Sequence, residues 1–302
     1  MPIKVAAADH AIADTAAEPQ RPAAPGRETT PRLRVHVGCT FDLATAPGAQ
    51  LLLLVEPQPD GERVRLVRSG RLLRPAQEFR IFADPFGNRC WRVEAHGPRL
   101  SIQYDAVFTT ADAPDEALPD APAVPVAALP DETLPFLLPS RYCPSDQLID
   151  EAWQRFGASP EGYARVQAVC DWLHAAVNYN AGASGPGASA LDTLRSRQGV
   201  CRDFAHTGVA LCRALSIPAR YAFGYLPDYG VPLDPTPMDF HAWFEAFVGQ
   251  RWYTFDARHN VPRRGRIKVA HGRDAADVAM ITSYGVAQLE TMTVRADATR
   301  IA

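Results

Sequence analysis

The chain has 302 residues, with 34 acidic against 31 basic side chains, a formal net charge of −3 and 47% apolar positions. This profile describes a soluble globular protein with room for one large or two modest domains, each able to bury a core. The near-neutral balance argues against a dedicated binder of nucleic acid or of an anionic membrane surface, and no run approaches the roughly 18 uninterrupted apolar residues that span a bilayer.

Residues 1–31 are Ala/Pro-rich and aperiodic, which predicts a disordered tail. Its first residues carry acids where a signal peptide would carry an apolar segment, so a cytoplasmic location is expected. From Arg32 the pattern becomes short alternating runs: Leu33, Val35 and Val37, then Gln50 to Val55, Val64 and Leu66, Phe79 to Phe82, Cys90 to Val93 and Leu100 to Val107. Turn clusters separate them at Pro57 to Gly61 and Asp84 to Asn88, so residues 32–110 read as an all-β sandwich domain. Residues 111–133 are Pro/Ala-rich, with Asp112, Asp115, Glu116 and Asp120 and no base, which reads as a solvated linker.

Residues 134–302 change period. Val166, Val169, Cys170, Leu173, Ala176 and Val177 recur at helical spacing, giving a helix from about Tyr163 to Tyr179. A Gly/Ser loop follows, then a short helix from Ala190 to Arg197 stopped by Gly199. The next helix runs from Cys201 to Leu215, with Cys201, Phe204, Ala205, Gly208, Val209, Cys212 and Leu215 on one inward stripe and Pro218 ending it. The six cysteines form no CxxC pair, which argues against a metal cluster or a disulfide framework, and five of them read as core. Cys201 is the exception. It sits in a first helical turn, where unpaired N–H groups and the positive end of the dipole favour a thiolate.

Downstream, MDFHAWFEAFVGQRWYTFDARHN reads as two strands joined at Gly249-Gln250. A two-residue turn pairs Val248 with Arg251 and puts His241, Trp243, Glu245, Phe247, Trp252, Thr254 and Asp256 on one face. His241 and Asp256 then meet, and with Cys201 across from them the set is nucleophile, base and orienter. His259 is the rival base, placed less well beyond the strand end. His206 lies about 140° around the helix from Cys201. Gln198 is a candidate second oxyanion donor, and Trp243, Trp252 and Tyr225 are candidates to line a groove. Asp203 reads equally as a solvated helix-start acid, and Glu245 as a cross-strand contact.

The segments GVCRDFAH, ALCRALSIPARYAFGYL, DFHAWFEAFV and WYTFDA, with LPSRYCPSD and ALDTLRSRQG upstream and HGRDAADVA downstream, resemble the bacterial transglutaminase-like superfamily, whose core is a papain-like thiol enzyme fold. The strand-rich region before the linker resembles the β domain often attached to it. The resemblance implies a two-domain α+β protein with residues 134–302 as the catalytic domain, Cys201 as nucleophile, His241 as general base and acid, and Asp256 as its orienting residue. It implies thiol-dependent acyl transfer at an amide of a peptide-like or protein substrate. Peptidase or amidase action is the first expectation, transamidation the second and a non-catalytic binding module the third. No cofactor motif, metal site or EF-hand loop is read from the sequence, and neither nucleic acid nor membrane is an expected partner.

Overall fold

The structure is a computed structural model that describes residues 3–5, 31–58 and 63–301. The tail expected over 1–31 therefore lies outside the described residues except for Pro31 and a short strand at its start, and the turn expected over Pro57 to Gly61 falls partly outside them. In chain order the first strands are β1 (Ile3–Val5), β2 (Arg32–Thr45), β3 (Gln50–Leu53), β4 (Val64–Arg74), β5 (Phe79–Ala83), β6 (Arg89–Glu94) and β7 (Arg99–Ala111). Helices α1 (Ile149–Phe156) and α2 (Tyr163–Ala176), β8 (Asn178–Tyr179), α3 (Ala190–Ser196), β9 (Gln198–Gly199) and α4 (Cys201–Ala214) follow. The chain continues through β10 (Ala219–Tyr225), β11 (His241–Val248), β12 (Arg251–Phe255), β13 (Ile267–Gly272), β14 (Ile281–Tyr284) and β15 (Ala287–Ile301).

The alternation in β2 buries Leu33, Val35, Val37 and Phe41 completely, and β7 does the same with Ile102, Ala106 and Phe108. These strands lie in a four-stranded antiparallel sheet of order β15-β2-β7-β4, while β1-β5-β6-β3-β14 form a second sheet. Trp91 of β6 meets Tyr104 of β7 edge-on, with ring centroids 6.1 Å apart, so the two sheets touch through their aromatic side chains.

Two features of the organisation go beyond what the sequence led to expect. The residues at the end of the expected catalytic domain return to the N-terminal sheets: β15 pairs along the whole of β2, and β14 pairs with β3. The physical reason is that β2 has an edge away from β7 to satisfy, and β15 buries Val294 and Ala296 in the same alternating manner. The acidic linker, largely exposed along 111–133, is also tied to the rest of the chain by ion pairs. Asp112 pairs with Arg264 at 2.7 Å and with Arg300 at 3.3 Å, Asp115 with Arg266 at 2.8 Å, and Glu116 with Arg251 and, at 3.0 Å, with Arg63. The bases lie far away in sequence, so local composition showed only one half of each pair.

The remaining sheet is antiparallel with order β12-β11-β10-β13. Gly249 and Gln250 have φ of 54° and 69°, the primed turn that suits a two-residue hairpin, and Val248 faces Arg251 as the parity argument requires. Helix α4 is buried on every side from Asp203 to Ala214. It seats on β11 at Gly208, where a Cβ would lie 2.4 Å from the Phe244 ring. Phe244 therefore marks the even-numbered side of β11 as the helix side, and His241, Trp243 and Glu245 point to the other.

Candidate active site

Cys201 is the first residue of α4, and its start is fixed by Asp203, whose Oδ2 accepts the Val200 N–H at 2.8 Å. Asp203 is buried, so the solvated reading of this acid is replaced by a capping one. Upstream, Arg197 ends α3 in the left-handed region with φ of 57°, turning the chain into β9 and then into the helix. Five of the six cysteines are buried and Cys201 alone is half-buried. It lines a cleft of about 1100 Å³ that extends from Tyr142 and Tyr221 past His241 to Phe41 of β2 and Leu289 of β15.

Because α4 packs on the even face of β11, Cys201 does not meet His241 across the sheet face. Both line the same cleft, and the backbone N–H of Ala242, next to His241, is among the groups that favour the ionised sulfur. His241 Nε2 and Asp256 Oδ2 are 2.7 Å apart, with both residues buried. Asp256 follows the last ladder pair of the hairpin, Phe244 with Phe255. The same Oδ2 takes His259 Nδ1 at 3.2 Å and Arg266 Nη2 at 3.3 Å. His259 also lines the cleft, its ring 4.7 Å from that of His241, so both imidazoles share one carboxylate.

The electrostatics follow from these contacts. Burial would raise Asp256, but His241, His259 and Arg266 together hold it well below the ordinary carboxylate range. Burial lowers His241 to about 4, against the pull of Asp256 and with the help of Arg266 and His259. For Cys201, burial pushes the thiol above its ordinary value, and neither the Ala242 N–H nor Arg258 reverses this. Burial thus works against the ionised sulfur expected at the helix head, and it works against the imidazolium in the same way.

The remaining candidates separate clearly. Trp243, Trp252 and Tyr225 do not line the cleft; Tyr225 is fully buried and donates to the Val55 carbonyl at 3.1 Å. Gln198 is exposed and its side-chain oxygen is taken by Asn180 at 2.9 Å, away from the cleft. Glu245 is a cross-strand contact, bound by Arg220 at 2.6 Å and Lys268 at 2.8 Å. His206 is fully buried between Tyr142 and Tyr221, and its Nε2 accepts the Ala275 N–H. Sequence reading missed Arg266 and its partner Asp115. The run of bases in PRRGR was a signal for the first, and nothing local in the acidic segment points from the second to a partner 151 residues later.

The ligand atoms of His241, Asp256 and His259 lie within 4.8 Å of one another, a spacing a metal ion could use. The Asp256 oxygen already faces both rings and a guanidinium, and that fixed positive charge opposes a cation, so the donor set fits a hydrogen-bonded ion cluster better.

Residues 152–257 match the family model of the transglutaminase-like superfamily. A solved structure, that of a candidate cysteine protease from Cytophaga hutchinsonii, is 35% identical, covers 90% of this chain and 91% of its own, and superposes with a TM-score of 0.79. The chain belongs to the transglutaminase-like superfamily. Among curated proteins, the uncharacterized protein ML0607 of Mycobacterium leprae (strain TN) is 34% identical over 146 residues, 47% of this chain and 52% of its own length. Rv2569c of Mycobacterium tuberculosis (strain ATCC 25618 / H37Rv) is 32% identical over 114 residues, 33% of this chain and 35% of its own length. The match therefore spans about half or less of these curated relatives. Within this transglutaminase-like chain the matched segment runs from α1 through Asp256, and the cleft also draws on β2 and β15 outside it.

Proposed function

We propose that this transglutaminase-like protein is a cysteine-dependent acyl-transfer enzyme that opens an amide of a peptide-like substrate through a thioester, with water as the preferred acceptor. The observation that carries the reading is what one cleft brings together: the half-buried Cys201 at the head of α4, and His241, tied to Asp256 at 2.7 Å. The 35% identity to a candidate cysteine protease over nearly the whole chain supports it.

In this reading the sulfur attacks the amide carbon while its proton passes to His241 Nδ1, since Nε2 is committed to Asp256. The carbonyl oxygen gains negative charge at the head of α4, where the Cys201 N–H is one donor and the helix dipole favours an anion. The carbon–nitrogen bond then breaks and the imidazolium returns the proton to the leaving amine. Water attacks the thioester, gives a proton to His241, and the sulfur leaves and recovers that proton. Asp256 stays ionised and stabilises the imidazolium that forms twice per cycle. The first two sheets pack as a sandwich whose strands β2 and β15 wall the cleft. A cytoplasmic location rests on sequence composition alone.

The test is a peptide library offered to the wild-type chain and to Cys201→Ala, with and without an added primary amine, read by mass spectrometry. The expected result is Cys201-dependent cleavage, with acid products dominant even when amine is present. Predominant amide exchange reverses the order of acceptors, and equal turnover by Cys201→Ala overturns the reading.

A further inference from the structure

Arg266 stands directly before β13 and is held from several sides. Its guanidinium meets the Asp115 carboxylate as a fork, Nε at 3.1 Å from Oδ1 and Nη2 at 2.8 Å from Oδ2. Nη2 also reaches Asp256 Oδ2 at 3.3 Å, and the group lies over the Trp243 ring at 4.4 Å. Trp243 in turn stacks on His241, with centroids 6.3 Å apart and planes 22° from parallel. Asp115 is itself fixed by backbone: its N–H donates to the Arg263 carbonyl at 2.7 Å, and its Oδ2 accepts the Arg263 N–H at 3.0 Å. Both side chains of the pair are largely buried.

Resting on the reading of His241 as the base, we infer that Asp115 and Arg266 are a positioning pair: the acidic segment after β7 holds a guanidinium that sets the placement of Asp256 and Trp243, and through them of the His241 ring. Neither residue touches the cleft, so neither is catalytic. A fork is needed because Arg266 must face two carboxylates and one ring at fixed angles, which a point-charge ammonium does not do. Arg266 also bears on the basicity of His241. The groups that act on the ring are Asp256 and His259 beyond β12 and Arg266 before β13; Cys201 at the head of α4, with Arg258 and Asp239 acting on its sulfur, lines the same cleft. Arg266 is one of the charges that keep the imidazole below its ordinary value, so its removal should raise that value.

The test needs no substrate. Carbamidomethylation of Cys201 by iodoacetamide is followed by peptide mass spectrometry between about pH 4 and pH 8 in the full chain. The variants are Asp115→Asn, Asp115→Glu, Arg266→Met, Arg266→Lys and His241→Ala, each with a thermal melt as a check of folding. Asp115→Asn is expected to slow labelling of Cys201 by about 10- to 100-fold, the size of effect a small misplacement of a reacting group gives, and Asp115→Glu to restore most of it. Arg266→Met should move the acid limb of the profile upward from near 4 toward the ordinary imidazole value of 6.5. Arg266→Lys keeps the charge without the fork, and is expected to hold the acid limb near its wild-type position while losing rate. If Asp115→Asn and both Arg266 variants label Cys201 at wild-type rate with an unmoved acid limb, and only melting changes, the pair is structural and the inference fails. If His241→Ala also labels at wild-type rate, the reading beneath it fails as well.

Discussion

His241 and His259 both reach Asp256 Oδ2, at 2.7 and 3.2 Å, but His241 makes the shorter contact from a buried position, while His259 is partly exposed. His241→Ala is therefore expected to slow Cys201 reactivity by about 10²- to 10⁴-fold, and His259→Ala by less than about tenfold, measured as iodoacetamide labelling at neutral pH. Comparable losses in the two would move the base role to the shared pair. The pH dependence follows from burial. His241 accepts a proton only while neutral, and with its value lowered to about 4, reactivity should persist on acidification and fall as pH drops through that value. The same shift acts on stability with a definite sign: the unfolded chain protonates this imidazole near 6.5, so stability is lost as pH falls from there toward 4. At this scale the His241–Asp256 contact was legible because strand parity puts the two side chains on one face. The protonation state was not, because desolvation by residues distant in sequence decides it.

Among the elements, α4 and β11 carry the site between them. Their separation is set at Gly208, where a methyl group would stand 2.4 Å from the Phe244 ring, while Gly224 of β10, opposite His241, lets β13 approach, since a methyl there would stand 2.2 Å from the Ile267 carbonyl. Gly208→Ala should cost about 1 to 3 kcal/mol by urea unfolding and shift Cys201 away from β11, lowering its labelling rate as well. An unchanged midpoint and rate would mean that the helix seats elsewhere. The hairpin register, the start of α4 and the core strands β2 to β7 were readable from turn chemistry and alternation. The side of β11 that faces the helix was not, since a strand buried on both faces gives no amphipathic signal.

For the molecule as a whole, the last strand is the piece that composition hid. Ala287–Ile301 alternates like any β segment, yet its partner is β2, more than two hundred residues earlier, and no local pattern names a partner at that distance. Deleting residues 281–301 should strip β14 and β15 from both N-terminal sheets and remove one wall of the cleft, lowering the melting temperature by at least about 10 °C and abolishing Cys201-specific labelling. A truncated chain that melts and labels like the intact one would show that these strands are dispensable. The same blindness to distance explains the acidic segment after β7: Asp112, Asp115 and Glu116 looked unpaired because Arg264, Arg266 and Arg251 enter the sequence so much later.

The central claim is that one sulfur and one imidazole act as a unit to accept an acyl group. Acetylation by p-nitrophenyl acetate measures this directly: release of nitrophenolate is followed in time, and the modified residue is located by peptide mass spectrometry in wild type, His241→Ala and Cys201→Ala. The account predicts a rapid burst with one acetyl group on Cys201 in the wild type, a much slower one in His241→Ala and none without the thiol. Acetyl groups spread over the other cysteines, or a burst untouched by loss of His241, would contradict it.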